Sequence, residues 1–258
     1  MDNKTANPLF ELQRTLYNSS NYTRWRLHRM RLDWVTNAIS VYANLAPLQK
    51  AIEYGPGSGI YLPVLARYFP SVVAADVEAA YLEGVEALIG GGLDNLSLIT
   101  DDITHSALPA ASFGLVLCSE VLEHVSSPEF ALKNIYRILH PGGIAIITTP
   151  QRNSVMELCC KVAFLPGVIQ LVRSIYRESI SETRHVSLRS SEQILSALSC
   201  CGFSLFHAEK FGLYLPLIAE FGGDKGGRII EGFEGCLKDT CLDWLLWTQA
   251  YVVQKPVS

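Results

Sequence analysis

Residues Lys50 to Gly59, KAIEYGPGSG, constrain the chain more than any other stretch. An apolar run that reads as a strand closes on Glu53-Tyr54 and drops into a turn with glycine at 55, 57 and 59. Glycines at alternate positions clear a backbone loop of side chains, tolerate positive φ and let a ligand approach the main chain closely. Ile60, Val64, Leu65 and Tyr68 follow at helical spacing, so the loop joins a strand to a helix N-terminus. Such a unit outlines a nucleotide site. Its spacing is not the G-x-G-x-x-G of a pyrophosphate loop, because the third glycine arrives one residue early and Ile60 stands in the expected place.

A second apolar run, Val72 to Ala75, closes in Asp76, seventeen residues after Gly59. That is near the distance at which the acid of a βαβ unit reaches ribose hydroxyls. Strands and helices continue to alternate: strand 50–54, helix 60–69, strand 72–75, helix 79–89, a turn at 90–92, strand 96–100, strand 113–118, a helix near 129–139, a turn at His140–Gly143 and strand 144–149. Alternation of this kind predicts a parallel sheet with right-handed crossovers, its strand ends delivering residues to one crevice. After Pro150 come an apolar, partly helical stretch at 154–180, a helix at 190–201, a strand at 203–206, an irregular segment at 211–238 rich in glycine, and a last strand within 244–254.

Composition narrows the class. A chain of 258 residues, 49% hydrophobic and 18% charged, supports one sizeable core. A net charge of −4 argues against broad binding to a phosphate backbone, although one basic patch remains open. Seven cysteines with no C-x-x-C spacing suggest neither a zinc ribbon nor a disulfide framework, and the polar start MDNKTANP lacks the apolar core of a signal peptide. Reduced thiols and a cytoplasmic location are the expectation. Val155 to Val172 is interrupted by Glu157, Lys161 and Pro166, so a membrane span is not expected, while peripheral membrane contact stays open.

The ordered set EYGPGSG, AADVE, DDI, CSEVLEHV and LHPGGIAIITTP resembles the class I S-adenosylmethionine (SAM) methyltransferases, nearest to the branch that includes ubiquinone-biosynthesis enzymes. The resemblance covers residues 48–150 well and the rest loosely. It implies an α/β, Rossmann-like, doubly wound seven-stranded sheet, mostly parallel with an antiparallel last strand and helices on both faces. It implies one domain over 1–258, with a helical cap at 1–47, a SAM-binding core at 48–150, a lid insertion at 151–189, and a substrate-side part at 190–258 carrying the last two strands. For SAM it implies that Glu53, Gly55, Gly57 and Gly59 hold the methionyl end, Asp76 accepts both ribose hydroxyls, Asp102 and Ile103 meet the adenine edge, and Cys118 and Ser119 lie under strand four.

Glu120, Glu123 and His124 stand at offsets of three and four, which on a helix would share one face. Two carboxylates and an imidazole suit a divalent metal, with His185, 61 residues after His124, as a further ligand. Similar E-x-x-E-H sets occur in metal-dependent O-methyltransferases, where the cation lowers the pKa of the acceptor oxygen. In metal-free relatives the same acid and imidazole only hydrogen-bond the loop, and both readings stand. His185 and His124 are the candidate catalytic bases. The other histidines, at 28, 105, 140 and 207, read as surface or packing residues.

The run Arg24, Arg26, His28, Arg29 and Arg31 is either a solvated helix face or a cap over the cofactor that anchors an anionic acceptor. Tyr61, Phe164, Tyr176, Phe211, Tyr214, Phe221, Trp244 and Trp247 read as core, those within 154–221 on the side where the acceptor is selected. The expected reaction is methyl transfer from SAM to an oxygen, or failing that a nitrogen or carbon, of a small apolar or aromatic molecule. The alternatives are a metal-assisted RNA 3′-end methyltransferase, against which the net charge weighs, and a SAM-binding protein without turnover. Oligomeric state, acceptor and pathway are not legible.

Overall fold

The computed structural model describes residues 19, 21–89, 92–163 and 186–257. Seven strands form one sheet: β1 (Lys50–Tyr54), β2 (Ser71–Asp76), β3 (Leu96–Thr100), β4 (Phe113–Ser119), β5 (Leu139–Pro150), β6 (Ser204–Phe211) and β7 (Thr248–Gln254), in the order β3-β2-β1-β4-β5-β7-β6. β1 to β5 pair in parallel, and β7 runs antiparallel between β5 and β6. β1, β2 and β4 are near-continuous apolar runs because they are covered on both faces. β6, at the edge, is exposed along most of its length.

The helices are α1 (Tyr22–Tyr42), α2 (Leu62–Tyr68), α3 (Ala79–Ile89), α4 (Pro128–Ile138), α5 (Val155–Ala163), α6 (Ser191–Cys201), α7 (Pro216–Phe221) and α8 (Gly223–Leu237). α4 shows why such a stretch becomes a helix: Pro128 sits at its first turn, and Ala131, Leu132, Ile135 and Ile138 form a buried stripe at helical spacing. α6 is fixed at both ends, by a capping box between Ser190 and Gln193 and by Gly202 in the left-handed region, φ +93°. On one face of the sheet β1 and β4 pack against α4 and α6 through Ile52, Val116, Leu132, Ile135 and Leu198. On the other, Ala51, Leu115 and Ile146 meet α1, α2 and α3 through Val35, Ile39, Leu65 and Val85. A third cluster joins α1, α7, α8 and the approach to β7 through Leu27, Tyr214, Ala219, Ile230 and Trp247.

Three expectations are corrected. The segment 211–238 is not irregular, since α7 and α8 occupy most of it. Its glycines permit close approach: a Cβ on Gly227 would lie 2.2 Å from the Tyr22 ring, so α8 crosses α1 where only hydrogen fits. The His140–Gly143 turn is absorbed into β5, where Gly142 N donates to Lys255 O at 2.7 Å and Lys255 N donates to Gly143 O at 2.9 Å. The last strand starts at Thr248, after a short 3₁₀ turn at Asp243–Leu245. Of the aromatics read as core, Tyr61, Phe211, Tyr214 and Trp247 are buried and Phe221 and Trp244 are exposed, while Phe164 and Tyr176 lie outside the described residues. Among the described residues no helix is long and apolar enough to cross a membrane.

Candidate active site

The glycine loop adopts the backbone its composition demands: Gly55, Gly57 and Gly59 have φ of +64°, +53° and +70°. A Cβ on Gly55 would lie 2.5 Å from Val121 Cγ2, so the loop is pressed against the segment after β4 with no room for a side chain. Gly55 N donates to Ala75 O at 2.8 Å, which seats the loop beside the end of β2 and hence beside Asp76. Beneath it Glu53 is 1% exposed, and its Oε2 is buried with no hydrogen-bond partner. Burial drives its carboxyl well above the usual range. An orphaned carboxylate oxygen next to a side-chain-free loop is the complement of a ligand carrying an ammonium group.

Asp76 is half-buried, and its Oδ1 accepts from Glu78 N at 2.9 Å. Burial, only partly offset by that bond, raises its carboxyl. The loop after β3 is tied to β1, since Tyr54 Oη donates to Asp101 Oδ2 at 2.9 Å and contacts Ser106 Oγ at 3.1 Å. This places Asp102 and Ile103 at the same edge as Asp76. Ile103 is buried, and Asp102 Oδ1 accepts from Thr104 N and Thr104 Oγ1 at 2.8 and 2.7 Å. Partial burial opposes the charge on Asp102, but those bonds and the contact with His105 outweigh it and hold the carboxyl low. Cys118 is wholly buried and Ser119 Oγ lies 2.9 Å from Thr148 Oγ1.

The segment Glu120–His124 is a turn, not the helix its spacing suggested. Glu120 takes φ +57°, and its N–H donates to Thr148 O at 2.9 Å. The two carboxylates consequently part. Glu120 Oε2 pairs with Arg31 Nη1 at 2.8 Å and its Oε1 accepts from Thr148 Oγ1 at 3.0 Å, whereas buried Glu123 accepts from Thr149 Oγ1 at 3.1 Å. Burial, and then the charge of Glu120, push Glu123 well above the ordinary carboxylate range. His124 is half-exposed, with Nε2 at 3.9 Å from Glu123 Oε1. Among the described residues no three His, Cys, Asp or Glu side chains come together to hold a metal, so Glu120, Glu123 and His124 do not fit the cation their spacing suggested. His185 lies outside the described residues, although Val186 N and Ser187 N donate to Glu123 O at 2.8 and 3.0 Å.

The basic run on α1 is not a simple solvated face. Arg29 is exposed and pairs with Asp33, but Arg26 reaches Glu234 at 2.8 Å and Arg31 is buried at the carboxyl edge of the sheet. Arg31 lies over the Trp247 ring at 5.9 Å, and His28 meets the same ring edge-on. Burial, then the charges of Arg31 and Arg24, lower the His28 imidazole to about 3. Trp247 Nε1 donates to Glu157 Oε1 at 3.4 Å. Gln151, just past β5, is 2% exposed with a partnerless Oε1. Arg31, Trp247 and Gln151 thus join the site although no motif marked them; only the basic run and the aromatic pattern touched two of them.

Residues 52–147 match a family model described as a methyltransferase domain. Over this core the chain is similar to the class I, SAM-dependent methyltransferases. The methyltransferase core is 30% identical over 132 residues to a ubiquinone biosynthesis O-methyltransferase of Erwinia tasmaniensis, covering 50% of this chain and 52% of that protein. It is 27% identical over 129 residues to the enzyme of the same name from Pseudomonas entomophila, covering 49% and 53%. The chain therefore spans about half the length of the curated relatives it matches. A SAM-dependent methyltransferase structure from Archaeoglobus fulgidus shares the fold at TM-score 0.60 and 15% identity, over 96% of this chain and 100% of that one. A [4+2]-cyclase, SpnF, matches at TM-score 0.60 and 16% identity over 88% and 81%, so the methyltransferase fold does not by itself fix the chemistry.

Proposed function

We propose that this protein transfers a methyl group from SAM to an oxygen of a small, largely apolar or aromatic molecule. The observation that carries the reading is Glu53 Oε2, buried and partnerless under the glycine loop, with Asp76 at the adjoining strand end. When bound, SAM supplies an electrophilic methyl group and a sulfide leaving group. Glu53 and the amides of Gly55, Gly57 and Gly59 would hold its amino-acid end, Asp76 its ribose, and Asp102 and Ile103 its base. Support for an apolar or aromatic acceptor comes from buried Trp247 and His28, which meet edge-on beside Arg31, and from Tyr214 in the same apolar cluster as Trp247. Support for oxygen comes from the O-methyltransferase relatives, over half their length.

The chain's own contribution is alignment and exclusion of water, which account for most of the rate in a two-substrate displacement. In this reading His124 takes the hydroxyl proton as the oxygen attacks, with Glu123, which accepts from Thr149, 3.9 Å from its ring. His185 remains a second candidate base. Incubating the protein with methyl-labelled SAM and small-molecule extracts tests the reading: a labelled O-methyl product is expected, and His124→Gln should reduce its formation by about 10²–10⁴-fold. The [4+2]-cyclase relative favours one other reading, SAM binding without methyl transfer, and SAM binding with no labelled product from any extract would select it.

A further inference from the structure

Glu120 holds a left-handed backbone conformation, φ +57°, that is strained for a residue with a Cβ, and such conformations persist only where the surroundings over-determine them. Here three contacts do so: its N–H to Thr148 O at 2.9 Å, Thr148 Oγ1 to its Oε1 at 3.0 Å, and Arg31 Nη1 to its Oε2 at 2.8 Å. Arg31 crosses from α1, far from β4 in sequence, and is itself held in place. Its Nη2 lies 3.2 Å from His28 Nδ1, which must accept because a guanidinium only donates, and its Cζ lies 5.9 Å from the Trp247 ring centroid. Glu123 sits on the other side of β5, on Thr149. A divalent ion drawing on this edge would need the Glu120 carboxylate to turn away from Arg31 and Thr148 and join Glu123, against both side-chain contacts.

We infer that Arg31 is the resident cation of this acidic edge: its guanidinium positions Glu120 at the acceptor side of the crevice and takes up the carboxylate that a divalent metal would require. The E-x-x-E-H pattern in this chain is thereby wired to a cap helix. Taking the guanidinium away leaves a buried carboxylate uncompensated, and a cation from solution becomes its natural replacement. The inference rests on the proposed function only for what Glu120 serves; the charge arrangement is readable without any acceptor.

Titration calorimetry with MnCl₂ on the full chain tests it, using wild type, Arg31→Met, Arg31→Lys, Glu120→Gln and the Arg31→Met/Glu120→Gln double variant, each with its melting temperature. Wild type and Arg31→Lys are expected to show no saturable uptake. Arg31→Met is expected to bind Mn²⁺ at least about tenfold more tightly than wild type, and to lose that binding when Glu120 is also changed. Saturable uptake by wild type that Glu120→Gln abolishes overturns the inference, as does a folded Arg31→Met that gains nothing. If Arg31→Met does not fold, the wild-type, Arg31→Lys and Glu120→Gln titrations decide in the same way. Failure of S-adenosylhomocysteine to bind would remove the proposed function while leaving this result standing.

Discussion

Burial opposes the charged form of both Glu53 and His28, and the two leave marks of opposite sign on stability. Glu53 is held well above its ordinary value of 4.5. From pH 4.5 up to its folded value the native state keeps a proton that the unfolded chain has lost, so stability falls as pH rises. His28 is lowered from 6.5 to about 3. Between those values the unfolded chain binds a proton that the native state refuses, so stability falls as pH drops. Melting temperatures measured from pH 3 to 8 should therefore decline less above pH 4.5 in Glu53→Gln, and less below pH 6.5 in His28→Asn, than in wild type. A Glu53→Gln curve as steep as wild type above pH 4.5 would show that the carboxyl is charged in the native state.

At the scale of elements, one side chain fastens α1, α8 and the end of β6. Glu234, 4% exposed, accepts from Gly212 N at 2.9 Å and Leu213 N at 3.2 Å, and pairs with Arg26 at 2.8 Å. Glu234→Ala removes the acceptor of two buried N–H groups and leaves Arg26 with Glu231 as its remaining carboxylate, so a loss on the order of 2 kcal/mol or more is expected in urea unfolding. A change under about 1 kcal/mol would place Arg26 and both amides in water. The same region shows where sequence reading reaches its end. β1, β2 and β4 were legible because strands covered on both faces are continuous apolar runs bounded by acids and glycines, and β3 and α3 fall on the expected residues. α8 was not, because Gly226 and Gly227 look like breakers until Ile218 and Tyr22 are seen packed on them. Nor was the turn at Glu120: offsets of three and four describe a helix, and only Arg31 and Thr148, distant in sequence, bend the backbone otherwise.

Across the whole molecule, the grouping of Glu53, the glycine loop and Asp76 was legible and that of Arg31, Trp247 and Gln151 was not, for one physical reason. Glu53, the three glycines and Asp76 sit within a single βαβ unit, so local order along the chain carries their geometry. Arg31, Trp247 and Gln151 come from a cap helix, the approach to β7 and the exit of β5, and meet only because the sheet order brings β7 beside β5. We propose that acid-ended parallel strands grip SAM across their carboxyl edge, through Asp76 on its ribose. Calorimetric titration of S-adenosylhomocysteine into wild type and Asp76→Ala tests it most directly. The account predicts saturable binding to wild type and a loss of at least about tenfold in the variant, the worth of a hydrogen bond to a charged group. Absence of binding to wild type, or equal affinity in both proteins, would contradict it.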